Sequence, residues 1–211
     1  MSIDTQILRV ALRRAALATR LAEDQLNKAD ARLGDGDTGE TMRRLFGALN
    51  NEMPEYSDDI GGFFAELAKI CARSTGSSLG TLVTVSMMVM AKQTKGQTVI
   101  EWTDLSPLLL LVRDQMMARG KANLGDKTVI DMLDGVATAL VNCDNAADAA
   151  ARSRQACTTT LDLFRDRENR IGRARMFAKK TIGQDDPGML ALSCLIDALS
   201  GDTNIQASSH A

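Results

Sequence analysis

Aromatic residues and histidine are scarce in this 211-residue sequence. Aromatics make up 3% of it, and the single histidine, His210, stands next to the C-terminal residue. A mechanism that needs an internal histidine base, a histidine-ligated metal or a phosphohistidine is therefore unsupported. Because Ala, Leu and Met are abundant beside so few aromatics, the composition favours packed helices over sheets.

Several other features are missing, and each absence removes a class of protein. The four cysteines (Cys71, Cys143, Cys157 and Cys194) form no C-x-x-C pair, which indicates reduced, buried thiols in a cytoplasmic protein. The net charge is -2 and no basic run interleaved with aromatics occurs, which argues against nucleic-acid binding. The N-terminus lacks the layout of a signal peptide, and no apolar stretch is long enough to cross a membrane.

The apolar periodicity predicts an all-α protein of eight amphipathic helices, the first over residues 2–26. No linker divides the chain, so we expect one domain over residues 1–202 and a polar, disordered tail over residues 203–211. Short connections make consecutive helices antiparallel neighbours, as in an up-and-down bundle or barrel. Four polar connections, at residues 30–39, 74–78, 120–128 and 173–186, each follow an odd-numbered helix, so all four should lie at the same rim.

The stretch from Asp30 to Gly39 carries the strongest chemical signal. Asp30, Asp35 and Asp37 fall within eight residues, and three glycines are interleaved with them. Glycine lets the backbone turn tightly, so the carboxylates can converge, and converging carboxylates suit a hard cation such as Mg²⁺ or Ca²⁺. The alternative is an acidic, solvated turn with no ligand.

A helix should follow the acidic stretch directly, because Met42, Leu45, Phe46 and Leu49 have the spacing of one buried face. Thr38 or Thr41 is expected to cap it, with the helix N-terminus pointing back at the metal. A cation beside a helix N-terminus suits phosphate. The metal site and the helix N-terminus, together with hydroxyls and cationic side chains of the other rim loops, are what binding of a nucleotide polyphosphate needs. Neither a G-x-x-x-x-G-K-[ST] nor a G-x-G-x-x-G string is present, so the common nucleotide-binding loops do not apply.

Taken together, these motifs resemble subunit L, the nucleotide-binding part of dihydroxyacetone kinases. The strings that carry the resemblance are Leu26-Asn27, Asp30, Gly34-Asp35-Gly36-Asp37, Gly39, Gly120-Lys121-Ala122, Gly125-Asp126-Lys127-Thr128, Gly172-Arg173-Ala174 and Asp186-Pro187-Gly188. The resemblance covers nearly the whole chain in the right order. It implies an eight-helix antiparallel barrel with the nucleotide, ATP or ADP, at one rim.

The same resemblance assigns roles to residues. Asp30, Asp35 and Asp37 would hold two Mg²⁺ ions that bridge the nucleotide phosphates. Phosphate would be contacted by Thr38, Gly39, Glu40, Thr41, Ser77, Ser78 and Arg173. Gly120 and Val129 would line the adenine pocket, while Asp186, Pro187 and Gly188 would close the site.

As function, the resemblance implies Mg-ATP-dependent phosphoryl transfer to a short keto-sugar such as dihydroxyacetone, a glycerone kinase-like activity with an alcohol group as acceptor. In that family the sugar is held covalently by a histidine of a separate subunit K, so a K-like partner is expected. The alternatives are a relay subunit with permanently bound ADP that a phosphotransferase-system protein rephosphorylates, and a plain Ca²⁺-binding module. Relay subunits often read G-D-A-D-H-G, where this chain has Thr38 in place of the histidine. The sequence leaves open a homodimer, the identity of the sugar and an apolar ligand inside the barrel.

Overall fold

A computed structural model describes residues 2–201, so the predicted tail and His210 lie outside the described residues. Within them the fold is all-α, as predicted, and an isolated antiparallel bridge between Ile3 and Ile100 is the sole β pairing. The α-helices are α1 (Thr5–Leu21), α2 (Glu23–Asp30), α3 (Thr38–Glu52), α4 (Ile60–Ser74), α5 (Ser78–Gln93), α6 (Leu105–Gly120), α7 (Val129–Ala139), α8 (Ala146–Arg165) and α9 (Pro187–Ser200). Two 3-10 segments, Trp102–Asp104 and Ala174–Thr181, precede α6 and α9.

The first predicted helix is in fact two helices, and the second of them extends to the acidic stretch. The break is at Ala22, whose ψ of -2° turns the chain out of the α1 axis, and α2 then continues to Asp30. The change of direction lets α1 pack against α3 and α9 while α2 packs along α3. Asp30 therefore ends a helix rather than lying in a loop, and residues 2–201 contain nine α-helices instead of eight.

From α3 to α9, each helix packs against the next along the chain, and α9 packs against α1, which also contacts α3. The larger apolar cluster contains residues of α1 to α7 and of α9, and a second one joins α7, α8 and α9. This packing puts four connections into one pocket, described below. The finer expectation of an antiparallel barrel stays a prediction. Over residues 2–201, no helix is both long and apolar enough to cross a membrane.

Candidate functional site

The acidic stretch folds into a tight turn between α2 and α3. The backbone N–H of Gly34 donates to the carbonyl of Asp30, and Gly36 has a φ of +78°, a left-handed conformation that glycine adopts without strain. The turn brings one carboxylate oxygen each of Asp30, Asp35 and Asp37 to within 4.8 Å of one another. Asp30 is buried and the other two are exposed. The predicted convergence of the three carboxylates is thus present in the structure.

The buried member of this cluster is held in place by the chain itself. Oδ2 of Asp30 accepts hydrogen bonds from the backbone N–H groups of Asp37 (2.9 Å) and Thr38 (3.1 Å). A Cβ atom on Gly34 would lie 2.4 Å from Oδ1 of Asp30, so only glycine leaves room for this carboxylate. A buried, fixed carboxylate with two exposed ones beside it is a donor set of hard oxygens, and it fits Mg²⁺ or Ca²⁺.

The N-terminus of α3 differs from its prediction. Its N-cap is Asp37, without a side-chain cap bond, rather than Thr38 or Thr41. The capping acceptors come from α2 instead, because Oδ1 of Asn27 accepts from the N–H groups of Gly39 (2.7 Å) and Glu40 (3.2 Å). Asn27 had no predicted role in the site. Asn27 and Asp30 together accept hydrogen bonds from the N–H groups of Thr38, Gly39 and Glu40, which were expected to face phosphate. The group from this helix end that lines the pocket is therefore the side chain of Thr38.

One pocket of about 460 Å³ lies beside the acidic turn and draws on all four polar connections. The predicted site residues that line it are Asp30, Thr38, Ser78, Gly120, Val129, Arg173, Asp186, Pro187 and Gly188. The predicted residues outside the lining are Asp35, Asp37, Gly39, Glu40, Thr41 and Ser77. Of these, Ser77 uses its hydroxyl to cap α5, accepting from the N–H of Gly80 at 3.0 Å.

The lining also contains residues to which the sequence assigned no role in the site. Most are apolar or small: Leu33, Leu79, Thr81, Leu82, Ala122, Thr128, Ile130, Ile171, Gly172 and Ala174. The remaining one, Arg119, brings a second cation into the pocket beside Arg173. Its position directly before Gly120, at the C-terminal end of α6, was the available signal. The pocket thus combines an apolar wall with two guanidinium groups and the carboxylate cluster.

Arg173 bridges the two sides of the pocket. It lies in the α8–α9 connection (residues 166–186), and its guanidinium forms an ion pair with Asp35 across the pocket mouth. Both side chains are partly exposed. A mobile cation next to the carboxylate cluster is well placed to meet an anion that arrives there with a metal ion.

Asp186 closes the opposite edge. Its Oδ1 caps α9 by accepting from the N–H of Met189 (3.0 Å), and its Oδ2 accepts from Nδ2 of Asn169 (2.8 Å). Although the residue is partly exposed, its carboxyl group is enclosed, and this burial raises its pKa to about 6. Gly188 lets α9 approach the start of α7, because a Cβ atom on it would lie 3.3 Å from the Cβ of Val129.

The chain is similar to a known domain family and to several known proteins. The DAK2 domain family matches residues 32–201, a range that begins two residues after Asp30. L-erythrulose kinase of Pectobacterium atrosepticum is 28% identical over 88% of this chain and 32% of its own length. The ADP-binding subunit DhaL of the PEP-dependent dihydroxyacetone kinase of Escherichia coli is 26% identical over 84% of this chain and 87% of its own.

A crystal structure shows the same fold. The dihydroxyacetone kinase of C. freundii, solved in complex with AMP-PNP and Mg²⁺, superposes with a TM-score of 0.71 over 95% of this chain and 34% of that chain, at 22% identity. This chain spans about a third of that enzyme and of the erythrulose kinase. The resemblance seen in the sequence is confirmed at the level of the family: the chain belongs to the DAK2 domain family.

Proposed function

We propose that this chain is the nucleotide-binding, phosphoryl-transferring subunit of a kinase that acts on a short keto-sugar of the dihydroxyacetone type. The observation that carries the proposal is the convergence of three carboxylates at the mouth of a pocket that also holds Arg119 and Arg173. The pocket volume, about 460 Å³, lies in the range of small-ligand sites. Relatives of similar extent are named as ADP-binding subunits of dihydroxyacetone kinases, which supports the nucleotide.

Asp30, Asp35 and Asp37 would hold the metal, which we propose to be two Mg²⁺ ions. Bound there, Mg²⁺ would offset the negative charge of the nucleotide phosphates during transfer. The chain supplies the geometry for this. Asp30 is fixed by two backbone N–H groups, whereas Asp35 and Asp37 are exposed and can adjust to their ligand.

The other pocket residues divide by chemistry. The guanidinium of Arg173 stands beside the carboxylate cluster, where it would stabilise charge on the transferring phosphoryl group. The hydroxyls of Thr38 and Ser78 are donors at helix starts on the same side. The apolar wall, which includes Leu82 and Val129, suits a nucleobase because it offers a flat, water-excluding contact.

The sugar would be supplied by a second protein. The sole histidine, His210, lies beyond the described residues, and no other histidine could hold a keto-sugar covalently. We therefore propose a K-like partner that docks over the pocket mouth and presents the sugar to the nucleotide. The chain alone would bind nucleotide without phosphorylating a sugar.

A relay subunit is the second candidate, and the names of several relatives favour it. The E. coli and Listeria innocua proteins are called PEP-dependent and the Lactococcus lactis protein PTS-dependent, all as ADP-binding subunits. In that role the chain would retain ADP and be rephosphorylated by a phosphotransferase-system protein. Protein purified without added nucleotide separates the two: ADP that resists exchange with labelled ATP supports the relay, and free exchange supports the ATP-dependent kinase.

The first experiment is calorimetric titration of the metal-stripped chain with ATP and with ADP, each with and without Mg²⁺. We expect binding that requires Mg²⁺ and that is lost in Asp35→Asn, because the change removes one of three charged ligands. Asp24→Asn, at an exposed position of α2, is the matched control and should bind as the parent does. Mg²⁺-independent binding, or no binding with either nucleotide, would contradict the proposal.

A further inference from the structure

Lys127 is a buried lysine that the proposed function does not use. It lies in the connection between α6 and α7, its backbone is left-handed (φ 63°), and none of its surface is exposed. Burying an ammonium group is costly unless its donors are satisfied, and desolvation here lowers the pKa of Lys127 below its ordinary value. Because burial of this ammonium group is unfavourable, its structural role should lie in its contacts.

The ammonium group is fully bonded, and all of its partners lie at the two ends of one segment. Nζ donates to the carbonyls of Arg165 (3.0 Å), Arg167 (2.8 Å) and Thr181 (2.7 Å). An ammonium has three donors, so none is left over. The first two carbonyls are at the C-terminal end of α8, where a cation is favoured, and the third ends the 3-10 segment Ala174–Thr181.

The backbone of Lys127 adds a second link to the same segment. Its carbonyl accepts from Nδ2 of Asn169 at 2.7 Å, and that same amide donates to Asp186. The backbone N–H of Asn169 in turn donates to Oγ1 of Thr181 at 2.9 Å. Through these bonds one residue joins the start, the middle and the end of the α8–α9 connection.

The part of the connection between these links carries the pocket residues Gly172, Arg173 and Ala174. Arg173 reaches the acidic turn from there and pairs with Asp35. Lys127, which itself does not line the pocket, is therefore bonded on both sides of the arm that presents this guanidinium. The N–H of Gly183, which donates to the carbonyl of Arg165, and the ion pair of Arg165 with Asp185 also join the two ends of the connection.

We propose that Lys127 is a positioning residue: its ammonium holds the α8–α9 connection in the conformation that presents Arg173 to the acidic turn. The part that Arg173 plays toward the nucleotide rests on the proposed function. The placement of the connection by Lys127 does not.

The test variant is Lys127→Met, which keeps the length of the side chain and removes its donors and charge. The matched control is Lys121→Met, because Lys121 belongs to the same connection, is also left-handed (φ 52°), and is exposed. If Lys127→Met does not fold, Asn169→Ala removes the second link and leaves the ammonium in place.

The first measurement is backbone hydrogen–deuterium exchange, which needs no nucleotide. In Lys127→Met we expect amides of residues 166–186 to exchange about tenfold faster or more, with α3, α4 and α5 unchanged, since charge-assisted bonds are the strong ones. Lys121→Met should match the parent. Unchanged protection in this segment, or faster exchange spread over all helices, would overturn the proposal.

The second measurement is a double-mutant cycle with Arg173→Ala, read as affinity for Mg-ADP. Each single change should weaken binding about tenfold, and the pair should be little weaker than either, because Lys127 acts through Arg173. A pair about a hundredfold weaker, the product of two independent effects, would show that Lys127 does not act through Arg173. If the parent itself binds no nucleotide, the proposed function fails while the exchange result still decides the role of Lys127.

Discussion

The two sides of the pocket use charge in opposite ways. The acidic turn gathers three carboxylates, two of them exposed, and the contact that it makes with a cation is a partly exposed ion pair. The other side, which the α8–α9 connection forms, is bonded from behind by Lys127, a residue outside the lining whose charge is buried and whose three donors all bind carbonyls of the protein. Charges with few partners inside the chain are available to a ligand, whereas a saturated charge serves to position others. The first side should therefore respond to substitution in ligand binding, and the second in stability.

The largest effect on stability is expected from Lys127→Met. The change removes all three ammonium bonds at the base of the α8–α9 connection, although the carbonyls of Arg165 and Thr181 keep backbone N–H donors. We expect the free energy of unfolding to fall by about 3 kcal/mol. Urea denaturation measures this. Asp35→Asn should change it by no more than about 0.5 kcal/mol, because the residue is exposed and its ion pair is at the surface. Equal losses from both variants would remove the distinction between the two sides.

Gly34→Ala, on the side of the acidic turn, should act mainly on nucleotide binding, whereas Lys127→Met acts mainly on stability. The added Cβ would lie 2.4 Å from Oδ1 of Asp30, so the carboxylate must move out of the cluster. We expect Mg²⁺-dependent nucleotide affinity to fall about a hundredfold, the upper end of the loss seen when the surroundings that orient a metal ligand are disturbed. Gly47→Ala in α3 is the matched control, since nothing lies within 4 Å of its added Cβ. If both variants bind nucleotide as the parent does, the Asp30 carboxylate does not depend on Gly34.

The two sides also differ in how far the sequence could predict them. The acidic turn was predictable because Asp30, Asp35 and Asp37 are neighbours in the chain, separated by glycines whose role is local. The Lys127 network was not, because its three acceptors are 38, 40 and 54 residues away and are backbone carbonyls, which carry no side-chain signature. Helix periodicity predicted the all-α class for a similar reason, because its signal also lies between residues that are near one another in the chain.

Three other features that the sequence did not predict also have physical causes. The break at Ala22 involves neither glycine nor proline, and it follows from packing against α3 and α9 rather than from local propensity. In the sequence Asn27 is one of several polar residues of a helix, and its role appears only where the fold places the start of α3 against it. Arg119 resembles any basic residue in the last turn of a helix. In each of these cases a tertiary contact decided the role of the residue.

A smaller effect, specific to the second side, concerns pH and Asp186. Burial raises the pKa of this carboxyl group from 3.8 to about 6 in the folded protein. The folded state therefore holds the proton more tightly than the unfolded state does. The stabilisation from this group is complete below about pH 4 and is lost as the pH rises through about 6.

Asp186→Asn removes this titration and keeps an acceptor for the cap of α9. The parent's stability minus that of the variant should fall by about 2 kcal/mol between pH 4 and pH 7, since each unit of pKa shift corresponds to about 1.4 kcal/mol. Urea denaturation at a series of pH values gives both curves, and the other carboxylates cancel in the difference. A difference that is flat with pH would mean that the Asp186 carboxylate is open to water, and one that rises would mean that the folded protein stabilises its ionised form. Either result would contradict the prediction.

The smallest effect is expected at Ala178, where the α8–α9 connection is bent. Its φ of 26° and ψ of -95° are unfavourable for any residue with a Cβ atom, and its carbonyl accepts a 2.5 Å hydrogen bond from Oγ1 of Thr181, the residue that Lys127 also binds. Ala178→Gly relieves about 1–3 kcal/mol of strain and costs about 0.4–1 kcal/mol through the more flexible unfolded chain, so a net gain in stability of about 1 kcal/mol follows.

The control is Ala151→Gly in α8, at an exposed helical position, which should instead lose about 1 kcal/mol of stability. Both changes are read by urea denaturation. If the two glycines cost the same, Ala178 is not strained. If Ala178→Gly stabilises the protein without weakening nucleotide binding, the Lys127 bonds alone suffice to place Arg173, and the strained bend is a by-product of that placement.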